Sequence, residues 1–99
     1  MKTRKELSSL IEGEIKAAHE YAQLAAMRRE ERPEMADVYR RIAENELEHV
    51  DRLHEAVVEQ IREYRERKGE PPASMLAVYE YLHEKQIENV QDVKRMLGR

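Results

Sequence analysis

The sequence predicts an all-α fold, an antiparallel hairpin of two long helices followed by a third helix. Three observations predict it. Proline and glycine gather at two internal places only, around Pro33 and across Gly69-Glu70-Pro71-Pro72, with Gly13 the one exception inside a periodic segment. The stretches between them carry apolar residues at helical spacing, and nothing alternates as a strand would. Thr3-Arg4-Lys5-Glu6 has the capping-box pattern, in which the Thr hydroxyl and the Glu carboxylate satisfy free backbone N–H groups. The first helix therefore runs from this box to about Arg29. Pro33 ends it and suits the first turn of the second, where a missing N–H costs nothing. That second helix continues to about Lys68, with Gly69 as its C-cap, and the third runs from about Ala73 to Leu97.

Composition bounds what such a chain can do. Ninety-nine residues, 40% hydrophobic and 39% charged, with a mean hydropathy of −0.91, allow one domain, residues 1–99, with a modest core. Eighteen Lys+Arg against 21 Asp+Glu leave no one-signed field of the kind that nucleic acid or anionic membranes attract. The Arg pairs and the run from Arg62 to Lys68 are interleaved with Glu, a solvated ion-pair face. The longest uncharged run, Pro71 to Tyr79, is nine residues, against the roughly 20 of a membrane span. No apolar signal stretch follows the initial Met-Lys-Thr, so the cytoplasm is the expected compartment. The absence of Cys excludes thiol catalysis, disulfides and zinc-thiolate or iron–sulfur sites. Hydroxyls besides tyrosine are limited to Thr3, Ser8, Ser9 and Ser74, which argues against a serine-type hydrolase.

At about 100° per residue, Leu7, Leu10, Ile11, Ala18, Tyr21, Ala22 and Ala25 form the apolar face of the first helix, and Glu14 falls within about 30° of its centre. On the second helix Met35, Val38, Tyr39, Ile42, Val50, Leu53, Val57 and Ile61 form the face. Glu46 sits at its centre and His49 about 60° to one side. The third helix has Met75, Leu76, Tyr79, Leu82, Val90, Val93 and Leu97, with Gln86 near the centre and His83 inside the edge.

A carboxylate on an apolar face needs compensation, because burying an unpaired charge costs several kcal/mol. No Lys or Arg occupies the centre of either face, so a divalent cation between the first two helices is the expected counter-charge. Glu46 and His49 lie on adjacent turns and reach a common point. The Glu-x-x-His spacing alone carries nothing: with 18 Glu and four His, about 0.7 such pairs arise by accident. Glu80-Tyr81-Leu82-His83 is one, with Glu80 turned about 110° from its face. Phase distinguishes Glu46 and His49, joined by Glu14 and by Tyr21 two turns beyond it, whose hydroxyl can hydrogen-bond a ligand or whose ring can donate an electron in iron chemistry. His19 and His54 read as solvated or edge residues, and the other Tyr and Met residues as core.

Glu14 with Tyr21, followed by Ala43-Glu44-Asn45-Glu46-Leu47-Glu48-His49, resembles the first half of a ferritin-like di-iron site. The match is nearer to the encapsulated ferritins, short chains in which Glu, Glu and His from each of two subunits build a four-helix bundle and its ferroxidase centre. The resemblance covers roughly residues 7 to 62. It implies Glu14, Glu46 and His49 as metal ligands, a di-iron centre shared between subunits, oxidation of Fe²⁺ by dioxygen for iron storage or detoxification, and an encapsulin shell as a partner. The chain departs from that family at Gly13, Lys16 and Glu20, in its longer and more apolar third helix, and in having no Gly-rich shell-docking tail after Gly98-Arg99.

Ligand arithmetic points independently to a homodimer or a larger homo-oligomer. One chain offers three donors, too few for two octahedral ions, whereas two chains related by a two-fold axis offer four carboxylates and two imidazoles, and the four carboxylates neutralise two divalent ions. Such a set suits Fe²⁺ or Mn²⁺. The alternatives are a metal-free helical adaptor whose apolar faces pack on a partner protein, and a bundle holding another cofactor, a di-manganese centre or a flavin.

Overall fold

In the computed structural model, residues 2–98 are described, with side chains from residue 5 onward. They form α1 (Lys2–Arg28), α2 (Pro33–Lys68) and α3 (Ala73–Met96), and no strand. The expected boundaries hold to within a residue or two. α1 begins at Lys2, ahead of Thr3, and the Thr3 side chain of the expected capping box lies outside the described residues.

The punctuation works as its chemistry requires. Pro33 occupies the first turn of α2, and the Met35 and Ala36 amides donate to the Arg32 carbonyl at 3.0 Å each. Gly69 ends α2 with φ +82°, a conformation that L side chains rarely adopt, and its amide donates to the Arg65 carbonyl at 3.0 Å. Gly13, by contrast, is in open space: a Cβ there would meet nothing within 4 Å, so no close backbone approach explains it.

α1 and α2 pack against each other along their length, and α3 returns to lie along the hairpin, mostly against α1. Near the α1–α2 connection Ala18, Ala22, Ala43 and Leu47 close around Val93 of α3. Small side chains let three helix backbones converge there. Further along, Ile11, Ile15, Val50, Val57 and Ile61 form a second cluster, against which Leu7, Leu53, Tyr79 and Val90 pack.

Two residues expected in the core are not in it: Leu10 is 55% and Val38 47% exposed. Conversely Ile15, Ala43 and Leu47, outside the expected faces, are buried. Both differences have one cause. α3 covers one flank of the hairpin, where it meets Ile15 and Leu47 through Val90 and Val93. The opposite flank, bearing Leu10 and Val38, has no helix over it.

The molecule measures 56 × 19 × 18 Å, with a radius of gyration of 16.3 Å, against about 13 Å for a compact domain of this length. Its accessible surface is 6985 Å², against roughly 5,900 Å² for a compact monomer of this mass. Ion pairs cover much of the exterior. Arg40 bridges Asp37 and Glu44, and Arg62 bridges Glu59 and Glu66, so the basic residues of α2 are a solvated ion-pair face as expected. No helix among the described residues is long and apolar enough to cross a membrane.

Candidate metal centre

Glu14 from α1 and Glu46 and His49 from α2 come together across the helix seam. Each offers a ligand atom within 4.8 Å of the others, the one such group of His, Cys, Asp or Glu found among the described residues. His49 Nδ1 lies 3.4 Å from Glu14 Oε2 and 3.8 Å from Glu46 Oε2.

The helix phase explains the placement. Ile15 and Leu47, each one residue after a glutamate, are buried on the α3 side, and one residue is about 100° of rotation. Glu14 and Glu46 therefore stand at the boundary between the covered flank and the open one. Their side chains are 29% and 20% exposed, and that of His49 is 52% exposed. The two carboxylates are thus partly buried at the edge of the α1–α2 seam, and the imidazole is exposed beside them.

The donor set fits a divalent ion. Two donors each about 2.1 Å from one cation lie about 3 to 4.2 Å apart, a range that holds both His49–glutamate separations, while the two carboxylates lie within 4.8 Å of each other. Two carboxylates and an imidazole are hard-to-intermediate ligands, suited to Fe²⁺ or Mn²⁺. Among the described residues no Lys or Arg forms an ion pair with either carboxylate, and the cationic partner found there is His49 when protonated.

Tyr21 sits on the Glu14 side of α1, two turns or about 10 Å further along the axis. Its half-buried ring packs against Tyr39, with centroids 6.2 Å apart. Tyr39 is two turns before Glu46, so the two tyrosines form a matched pair on the open flank, one from each helix.

α3 contributes nothing to this group. Gln86 is buried and its Nε2 donates to Ser8 Oγ at 3.2 Å, tying α3 to α1. His83 stacks on His54 of α2, with ring centroids 4.3 Å apart and planes inclined by 10°. His54, read from sequence as an edge residue, is thus an interhelical contact, and no spacing rule within one helix could have found it. Glu80 is exposed, in keeping with a surface position. His19 is half-buried beside the groove between α1 and α3.

Comparison with family models, curated proteins and solved structures finds no match for this chain.

Proposed function

We propose that the chain is a ferroxidase protomer of ferritin-like type, in which Glu14, Glu46 and His49 bind Fe²⁺ as substrate and a second copy completes the site. The observation that carries the reading is the gathering of these three donors on the one flank of the hairpin that no helix covers. The same flank presents Leu10 and Val38, and the surface excess over a compact monomer is of the size that pairing two copies removes. Two hairpins face to face make a four-helix bundle with two Glu-x-x-His pairs and two further glutamates directed inward.

In that assembly the carboxylates hold the ions and offset their charge, His49 supplies one nitrogen to each, and the apolar surroundings limit access of water. Two Fe²⁺ give up two electrons, and dioxygen with two protons becomes hydrogen peroxide. We read Tyr21, two turns along α1 from Glu14 and packed against Tyr39, as a group beside the iron pair rather than one of its ligands. Mn²⁺ suits the same donors. An encapsulin compartment within the cytoplasm remains the setting that the resemblance implies.

The test joins two measurements on purified protein: iron per chain after aerobic loading with Fe²⁺, and mass by size exclusion with and without the metal. About one iron per chain, appearing only in the dimer or a larger assembly, supports the shared site. Protein that contains no iron, or as much iron after Glu46→Ala, overturns it. A metal-free monomer whose melting temperature ignores Fe²⁺ and Mn²⁺ returns the open flank to the adaptor reading.

A further inference from the structure

A separate group of titratable side chains lies where α3 meets the hairpin. The His54 and His83 rings are nearly parallel at 4.3 Å, and Tyr79 stacks against His83 at 5.8 Å with an interplanar angle of 7°. The three rings line a cavity of about 260 Å³ together with Ser8 and Glu12 of α1. Elsewhere α3 is held mainly on α1, by Val93, by the partly buried Tyr79, Val90, Met96 and Leu97, and by the Gln86–Ser8 bond. The stacked pair adds a contact between α3 and α2.

We propose that the His54–His83 stack is an acid-sensitive latch that frees α3 from the α1–α2 hairpin in mildly acidic solution. Neutral imidazoles stack face to face without electrostatic cost. Protonating both puts two positive charges about 4 Å apart in a partly desolvated seam, where Coulomb repulsion is far less screened than in water. The neighbouring charges do not cancel this. Lys5 from α1 and Lys94 from α3 line the same grooves and add to the repulsion, while Glu12 from α1, Asp51 from α2 and Glu84 on α3 oppose it.

Burial holds the His83 imidazole below the ordinary histidine value of 6.5, and the His54 ring beside it pushes in the same direction, with Glu84 opposing. The docked state thus binds protons less readily than the released one. At about pH 7.5 and above His83 is neutral in both states and docking is indifferent to pH. As pH falls through about 6.5 the released state takes up its proton first, and docking weakens until the docked His83 is protonated in turn. The metal cluster, on the other flank, is not part of this equilibrium.

Hydrogen exchange followed by mass spectrometry tests the latch, comparing α3 peptides at about pH 7.5 and about pH 5.5 after correction for intrinsic exchange rates. The expected result is a rise of about tenfold in the opening equilibrium of α3 at the lower pH, with the α1–α2 seam unchanged, loss of that pH dependence in His83→Phe, and a smaller dependence in His54→Phe, where burial of His83 still acts. Each variant keeps an aromatic ring in the stack, so one serves if the other does not fold. Equal α3 protection at the two pH values, or a drop that persists undiminished in a folded Phe variant, overturns the proposal. An NMR titration of the unmodified protein provides an independent reading: a His83 midpoint at or above 6.5 overturns it as well.

Discussion

His49 Nδ1 sits 3.4 Å from Glu14 Oε2, a contact that spans 35 residues of sequence and crosses the seam between α1 and α2. Because Glu46 lies one turn before His49, the contact brings a second carboxylate to the same point. Removing any of the three leaves two donors, which hold a divalent ion poorly in water. Glu46→Ala and His49→Ala should each weaken Fe²⁺ or Mn²⁺ binding by more than the roughly 10- to 100-fold that follows loss of a supporting outer group. Glu48→Ala, on an exposed neighbour, should leave it unchanged. Anaerobic titration calorimetry with each ion compares the variants, and equal affinity across all of them would sink the site.

Gly13 is adjacent to Glu14, yet its α-carbon faces open space. It is helical and exposed, so nothing in the structure offsets the extra backbone freedom it loses on folding. Gly13→Ala should therefore stabilise the protein by about 1 kcal/mol, raising the melting temperature by roughly 4 to 8 °C. Thermal unfolding followed by circular dichroism measures this directly. A destabilised variant would mean that a neighbour absent from the single chain approaches this position.

The helix boundaries were legible because Pro33, Gly69, Pro71 and Pro72 act through local backbone chemistry alone. The donor set was legible for a related reason: Glu14, Glu46 and His49 share helix phase with apolar neighbours, and phase is a local property. What periodicity could not show is which arc of a broad apolar face each neighbour covers. Ile15 and Leu47 went under α3, and Leu10 and Val38 stayed outside, because α3 docks on one flank only. The stacked His54 and His83 depend on the axial register between α2 and α3, which tertiary packing sets. Ser8 bonding to Gln86 is the same kind of relationship, joining the start of the chain to its last helix.

That last contact has a measurable energy. Gln86 is buried, and Ser8 Oγ is the acceptor for its amide. Ser8→Ala removes the acceptor and leaves the amide facing the cavity that both residues line, where water replaces the bond in part, a change that costs about 1 kcal/mol. Denaturant unfolding should show the loss in midpoint with little change in slope, since the surface exposed on unfolding is almost the same. An unchanged midpoint would show that the bond adds nothing to the docking of α3.

Leu10 and Val38 separate the packing within a chain from the packing between chains. Both are about half exposed and belong to neither core cluster, so charging them leaves the chain's own fold nearly untouched, within about 0.5 kcal/mol. If two copies meet on the open flank, the same changes place unpaired charges inside a helix bundle, where desolvation costs several kcal/mol. The double variant Leu10→Glu with Val38→Glu should therefore keep the helical circular dichroism of the original while sedimenting as a monomer of about 11.8 kDa. It should also lose iron binding although all three donors are still present, because a half-site holds metal poorly without its partner. Retention of the dimer by this variant would place the subunit contact elsewhere on the molecule.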